Sequence, residues 1–329
     1  MAKTLDVLAP RVEIEPRNPL YRLPSSAIVG IFLVVVIGFY AFTANGFWTL
    51  NNASTIISSA SVIMVASLGQ LLVVISGGFD LSVGGIIPLS AVVFAVLTTE
   101  GWPMLGALVL CLVVGAAAGI AHTFFIVFLK VNPLITTLGT LSVSAGIAFI
   151  IANGQTLSLP SEAGVLGNQA IANLPWHVLL MVVLVLLVHL MLQHSILGRR
   201  IYMVGGNAEA ARIAGVRVTL IGGTPYILSG IFSALAGVIL GSQLLAASGT
   251  IGSQITLQSL AAVVLGGAAL TGGRGNVPGA VIGVLLLGVI ANGMTILLVP
   301  TFYQQVVSGI VLLAAVTFSR LQQRARRVD

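Results

Sequence analysis

Long apolar runs, separated by short stretches rich in glycine, proline and polar residues, extend from residue 26 almost to the end of the chain. About 20 apolar residues in a helix cross a hydrocarbon core of about 30 Å, so each run is a candidate membrane span. Prolines at the ends of several runs are typical of helix boundaries. The pattern predicts an all-α, polytopic membrane protein of about ten helices, at roughly 26–45, 54–75, 83–99, 104–129, 133–152, 176–193, 220–241, 257–270, 279–299 and 302–319.

The composition is that of a chain solvated mainly by lipid. Of the 329 residues, 57% are hydrophobic and 7% are charged, whereas a soluble domain carries about 25% charged residues. The 38 glycines would weaken a soluble helix bundle, but in a membrane small residues let helices approach closely. Three stretches have the small-xxx-small spacing: GAAAG (115–119), GVILG (237–241) and GAVIG (279–283).

The positions of the charges predict the orientation. With the N-terminus in the cytoplasm, all 14 Lys and Arg residues fall on the cytoplasmic side, as the positive-inside rule requires. Glu100 and Glu162 fall on the opposite side. We expect both termini in the cytoplasm and no nucleic-acid partner, because the basic residues lie at helix ends beside anionic headgroups. The predicted parts are a tail (1–25), a membrane domain (26–319) that contains a cytoplasmic loop (194–219), and a basic tail (320–329).

The residue types do not predict catalysis or a metal site. Cys111 lies within an apolar run and is expected to be a packing residue. The four histidines are scattered, and the sequence contains no HExxH motif and no Cys/His cluster. We therefore expect no catalytic residue and no bound metal in this chain.

Asp80 is an isolated acidic residue in the glycine-rich stretch ISGGFDLSVGG (75–85), with apolar sequence on both sides. A carboxylate at membrane depth usually faces a polar path or a partner. Three interpretations are open. Asp80 caps the following helix by accepting from the backbone N–H of Ser82 or its neighbour, with Gly77 and Gly78 in the turn. Alternatively, it takes part in substrate passage, or it contacts another subunit.

A second glycine-rich stretch, LGGAALTGGRGNVPG (265–279), interrupts a later apolar run. It lacks the GxxxxGK[ST] spacing of a phosphate-binding loop, as does the rest of the chain, so no ATP site is predicted here. The stretches VVISGG (73–78) and VVLGG (263–267) are alike, and interrupted helices in two halves of a transporter point to its binding site. The predicted topology places both breaks on the same side of the membrane.

The longest predicted cytoplasmic connection, residues 194–220, contains four arginines. Within it, NAEAARIAGV predicts a short helix that Asn207 caps and Gly215 ends. One interpretation is a solvated loop beside the membrane. The other is a docking helix for a cytosolic partner.

Five stretches carry a resemblance to a known family: ISGGFDLSVG (75–84), NPLITTLGTLSVSAGIAFI (132–150), LGRRIYMVGGNAEAARIAGV (197–216), AAVVLGGAALTGGRGNVPGAVIG (261–283) and YQQVVSGIVLLAAV (303–316). Together, and in family order, they resemble the permeases of bacterial ABC importers for ribose and other simple sugars. The resemblance implies a ten-helix, multi-pass protein of the bacterial inner membrane. It also implies a second permease copy, in a homodimer or a heterodimer, and a periplasmic sugar-binding protein that delivers the solute.

The resemblance further implies a cytosolic ATPase subunit that binds ATP and Mg²⁺ and docks on a coupling helix of the permease. Here the coupling residues are expected to be Asn207, Glu209, Ala211, Arg212 and Gly215. In one place the chain departs from the family, which commonly has an acidic residue shortly before AAVVLGG. This chain has QITLQSLAAVVLGG there, so the role of that acid would pass to Gln254 or Gln258.

The implied function is to form the translocation path for a monosaccharide or a similar small polar solute. Hydroxyl and amide groups suit such a path, and the candidate residues are Gln70, Asp80, Ser82, Asn153, Gln243 and Asn292. Polar groups within spans are also often satisfied by neighbouring helices, which leaves a structural role open for each. The alternative functions are a proton-coupled secondary sugar transporter, with Asp80 as the protonation site, and a facilitator or channel.

Overall fold

A computed structural model describes residues 25–168, 170–171, 174–300, 302–307, 309–311, 313 and 317. The long helices in these residues are α1 (Ser25–Thr43), α2 (Leu50–Ile75), α3 (Val83–Thr99), α4 (Met104–His122), α5 (Pro133–Ile151), α7 (Trp176–His194), α8 (Ile196–Gly206), α10 (Val218–Leu244), α11 (Ile255–Leu265) and α12 (Val277–Ile296). The short helices are α6 (Val165–Asn168) and α9 (Ala208–Ile213). A π-helical turn, Thr123–Phe128, extends α4, and a 3₁₀ turn, Ser161–Gly164, precedes α6. Residues 302–307 and 309–311 are also helical.

The helices confirm an all-α, multi-pass membrane protein. Among the described helices, seven are long and apolar enough to cross a membrane: α1, α2, α4 with its π-helical turn, α5, α7, α10 and α12. Helices α3 and α11 are shorter apolar helices. Nine of the predicted segments coincide with these helices to within about five residues. The tenth, 302–319, and the predicted basic tail lie partly or wholly outside the described residues, as does the predicted N-terminal tail up to residue 24.

Helix α10 is central and packs against α2, α3 and α4. The three small-xxx-small stretches lie at close helix contacts. A Cβ at Gly119 would lie 2.9 Å from the backbone nitrogen of Ile227 on α10, and one at Gly237 would lie 3.0 Å from the carbonyl carbon of Ile87 on α3. In the third stretch, a Cβ at Gly283 would lie 2.8 Å from the carbonyl carbon of Ala262. The prediction that glycines serve helix packing is therefore confirmed at these positions.

The described basic residues Lys130, Arg199, Arg217 and Arg274 mark one end of the bundle, here called the basic end. The end of α4 meets the start of α10 there, because Thr123 Oγ1 donates to the Gly223 carbonyl at 3.1 Å. At the same end, α8 packs against α2 and α10, and α9 packs against α8 and α10. Helix α8, which was not predicted from the sequence, buries Ile201 and Val204 on its inner side, and Ser195 caps its start.

At the opposite end, short strands and turns cover the bundle. Strand β1 (Leu157–Ser158) pairs antiparallel with β4 (Ala246–Ala247), and β2 (Ala170–Ile171) pairs antiparallel with β3 (Leu174–Pro175). The connection between α5 and α7 thus contains the short helix α6. This helix packs against α7 and α10.

Two connections leave the ends and enter the bundle. Asp80, in the connection between α2 and α3, reaches Ser229, which lies about 16 Å along α10 from its first residue. The connection of residues 245–254 enters from the opposite end. A Cβ at Gly84 of α3 would lie 2.9 Å from the Ser253 carbonyl oxygen and would also meet the Thr256 hydroxyl. Helices α3 and α11 therefore begin side by side within the bundle, where non-helical backbone is tolerated only if protein or a polar cavity surrounds it.

Candidate functional site

The connection that carries Asp80 is held by a buried hydrogen-bond network. Gly77 has a φ of 86° and makes the turn after α2, as predicted. Oδ1 of Asp80 accepts from the Ser82 backbone N–H at 2.9 Å and from the Ser82 hydroxyl at 2.5 Å. Oδ2 accepts from the Ser229 hydroxyl on α10 at 2.6 Å, and Gln70 Nε2 donates to the Asp80 carbonyl at 2.5 Å. The predicted bond from the Ser82 N–H is present, but Ser82 rather than Asp80 occupies the N-cap position of α3. Asp80 closes the turn before the helix and ties it to α2 and α10.

Asp80 is 1% exposed, so its carboxylate is removed from water. Within the described residues, no ion pair to Asp80 is present. His122 on α4 and Tyr226 on α10 interact electrostatically with it, and their rings lie 6.0 Å apart, edge to face. Gly78 was expected to share the positive φ of the turn, but it does not. Glycine is required there because the Tyr226 ring occupies the space of a side chain: a Cβ at Gly78 would lie 3.0 Å from Cζ of Tyr226.

Three glycine-containing segments meet at the basic end in what we call the glycine joint: the turn after α2, the end of α8 and the loop before α12. The Gly273 N–H donates to the Ile75 carbonyl at 2.8 Å. A Cβ at Gly272 would lie 2.8 Å from Cα of Gly77, and a Cβ at Gly205 would lie 2.9 Å from the nitrogen of Gly273. The main chains therefore touch directly. The prediction that both helix breaks lie on the same side is confirmed.

Helix α8 is anchored at this joint by its side chains. The Tyr202 hydroxyl donates to the Gly275 carbonyl at 2.6 Å, and burial raises the pKa of Tyr202. Ile201 and Val204 are buried in the main core, and so is Ala211 of α9, at 2% exposure. The Ala211 side chain therefore seats α9 on the membrane domain and leaves its other face to solvent.

Helix α9 has the predicted cap and end. The Asn207 side chain accepts from the Ala210 N–H at 3.0 Å, and Gly215 follows the helix with a φ of 80°. On the outer face, Arg212 donates to both carboxylate oxygens of Glu209, at 2.6 and 3.0 Å. This contact lowers the pKa of Glu209 and raises that of Arg212. The exposed pair gives α9 an ordered, charged surface.

The structure brings Gln70, Asp80 and Ser82 together but not the other three candidate path residues. Asn153 is exposed after α5 with a φ of 50°. Gln243 donates to the Ser58 carbonyl at 3.4 Å near the opposite end of the bundle. Asn292 donates to Asn52 Oδ1 at 2.9 Å.

A polar network near the opposite end was missed from the sequence. His177 pairs with the Ser58 hydroxyl through Nε2 at 2.8 Å and with the Leu166 carbonyl through Nδ1 at 3.2 Å. The Ser242 hydroxyl accepts from the Gly167 N–H at 2.9 Å and donates to the Ala163 carbonyl at 2.5 Å. These bonds hold the connection between α5 and α7 against α2, α7 and α10. In the described part of the chain, no group of three potential metal ligands occurs.

Comparisons with known proteins agree with this architecture. The family model for the branched-chain amino acid transport system / permease component matches residues 52–316. The chain is 36% identical over 295 residues to the ribose import permease protein RbsC of Bacillus subtilis, covering 89% of this chain and 91% of that protein. It is 34% identical over 298 residues to RbsC of Escherichia coli K12, covering 89% and 93%.

The L-arabinose transport system permease protein AraH of E. coli K12 is 36% identical over 309 residues, covering 90% of each chain. No solved structure matches the chain. The matches to curated permeases confirm the resemblance drawn from the sequence motifs: the chain belongs to the permease-component family of ABC importers.

Proposed function

We propose that this chain forms the translocation path of an ATP-driven importer for a monosaccharide or a similar small polar solute. The relatives named for ribose and arabinose support this solute class. The chain itself is non-catalytic in this proposal. ATP and Mg²⁺ bind to a cytosolic partner, and a periplasmic binding protein delivers the solute.

The proposed topology has ten spans and both termini in the cytoplasm of a bacterium, with the protein in the inner membrane. Helices α3 and α11 count as spans together with the irregular segments that lead into them, and the helical residues 302–307 and 309–311 belong to the proposed last span. Lys130, Arg199, Arg217 and Arg274 lie at the same end of the bundle, and this supports the orientation because cytoplasmic ends carry the excess of Lys and Arg.

The glycine joint is the observation that carries the proposal of ATPase coupling. Helices α8 and α9 form one unit with an exposed charged face, and the end of α8 contacts both the Asp80 turn and the loop before α12. A partner that pulls on α9 would therefore move both helix breaks together. Two conformations with different affinities for the ATPase and the binding protein then suffice for transport.

Uptake by reconstituted complexes tests the proposed function. With the cognate ATPase and binding protein present, proteoliposomes should accumulate D-ribose or L-arabinose only when ATP is supplied on the ATPase side. Uptake that continues without the ATPase and collapses with a protonophore would favour a secondary transporter. Equilibration without accumulation would favour a facilitator.

A further inference from the structure

A cavity lined by glutamines lies between α11, α12 and residues 302–307. Its volume is about 490 Å³, within the range of roughly 300–1,000 Å³ that is typical of small-molecule sites. Its polar lining consists of Ser253, Gln254, Gln258, Gln304 and Gln305. None of these residues was among the candidate path residues chosen from the sequence.

The cavity extends from the middle of the bundle to the end opposite the basic end. Gln254 and Gln258 lie at the start of α11, which begins inside the bundle. The facing residue Leu287 lies about 15 Å along α12 from its start, half the thickness of a ~30 Å core. At the other limit, Gln304 Nε2 donates to the hydroxyl of Thr295, near the end of α12, at 3.2 Å.

Three of the four glutamine amides that line this cavity are available to a solute. Gln254 occupies the N-cap position of α11, but its side chain does not cap the helix. Within the described residues, the side chains of Gln254, Gln258 and Gln305 make no hydrogen bond. Amides left toward lipid at this depth would be costly, so this face requires water, a solute or a partner.

The lining chemistry fits a neutral polyhydroxylated solute. Each glutamine offers two N–H donors and a carbonyl acceptor, and the described lining contains no charged residue. Gln70 and Asp80 contrast with it, because both are buried and 0–1% exposed. A cavity of about 530 Å³ near Phe47 and Trp48 is lined almost entirely by apolar side chains and offers little to a sugar.

We infer that Gln254 and Gln258 of this cavity bind the transported sugar during its passage, with Gln305 on the side facing the binding protein. The inference rests on the proposed function and assigns its solute contacts to α11. The buried Asp80 network then holds the start of α3 in place beside this site.

Cysteine labelling tests access to the cavity. In the assembled importer, a charged thiosulfonate reagent should modify Gln258→Cys, while the native Cys111 is fully buried and should contribute little background. The transported sugar, D-ribose or L-arabinose, should slow labelling about fivefold or more. The matched control is Gln155→Cys, an exposed glutamine outside the cavity, whose labelling should not respond to sugar. Absence of labelling at Gln258→Cys, or a rate that sugar leaves unchanged, would overturn the inference.

Uptake kinetics give the second test. Gln254→Leu and Gln258→Leu should each lower Vmax/KM for the sugar about fivefold or more, the effect of one lost hydrogen bond. Co-purification with the ATPase and stimulation by the binding protein should persist, and Gln155→Leu should behave like the wild type. If the wild-type complex accumulates sugar and both Leu variants have the same Vmax/KM as the wild type, this inference alone is overturned. If the wild-type complex accumulates neither sugar, the proposed function is overturned. A disulfide between the Gln258→Cys residues of two copies would assign the face to a permease–permease contact instead.

Discussion

A single methyl group added at Gly205 should uncouple the importer. In Gly205→Ala the new Cβ would overlap the Ile75 carbonyl oxygen and lie 2.9 Å from the nitrogen of Gly273. Those two atoms are hydrogen-bonded to each other at 2.8 Å. The substitution therefore forces the end of α8 away from both helix breaks at once.

The free-energy cost follows from one hydrogen bond that is lost and one contact that becomes overpacked. A net backbone hydrogen bond contributes about 0.5–1.5 kcal/mol, and overpacking a tight contact costs about 1–3 kcal/mol. The joint should thus be destabilised by roughly 2–4 kcal/mol, which is about 30- to 700-fold in the equilibrium between the contacts described here and a state in which they are broken. Such a change equals or exceeds most of the coupling energies of about 1–3 kcal/mol found in allosteric proteins.

The assay compares three properties of the reconstituted complex. ATP-dependent sugar accumulation should fall by at least about tenfold, and the binding protein should no longer stimulate ATP hydrolysis. Co-purification with the ATPase should persist, because the outer face of α9, with Glu209 and Arg212, is unchanged.

The neighbouring glycine provides the control. A Cβ at Gly206 meets nothing within 4 Å, so Gly206→Ala should transport like the wild type. The reasoning is refuted if Gly205→Ala couples normally. It is also refuted if both alanine variants lose transport equally, since the effect would then not depend on the joint.

Three further predictions concern the network and α9. Asp80→Asn should assemble, because an amide oxygen still accepts from Ser82, whereas Asp80→Ala should lower thermal stability in detergent by about 1–3 kcal/mol by leaving Ser82 and Ser229 without their acceptor; equal melting temperatures would contradict this. Asn207→Ala should weaken ATPase co-purification by removing a helix cap worth about 1 kcal/mol, and Asn207→Asp should restore it; a defect that persists in Asn207→Asp would argue against capping. The pKa of Glu209 is lowered by Arg212, so their pair is present above the ordinary glutamate pKa and lost as the pH falls through the lowered one; ATPase docking should therefore be constant between about pH 6 and 8, and a loss within that range would contradict the assignment.

The sequence predicted the membrane helices well because their signal is local. Hydropathy locates nine segments, and Asn207 and Gly215 mark the ends of α9 by capping chemistry that acts within a few residues. Helix α8 was missed because its apolar side is narrow and arginines and glycines interrupt it.

The candidate site could be predicted only in part, because its contacts join distant segments. The bond between Asp80 and Ser82, two residues away, was readable from the sequence, but Ser229 is 149 residues away on α10. The sequence also does not reveal that α11 begins inside the bundle, and that depth is what turns Gln254 and Gln258 from surface residues into cavity residues.

The glycine joint consists of main-chain atoms, which are chemically the same in every polypeptide. Substituting side chains elsewhere can therefore change which solute or which ATPase the importer binds without changing the main-chain contacts that couple the two. Solute specificity can therefore diverge during evolution while the coupling between the ATPase and transport is conserved. Hybrid importers that combine the solute-facing helices of one permease with the α8–α9 segment of another are accordingly a realistic engineering target.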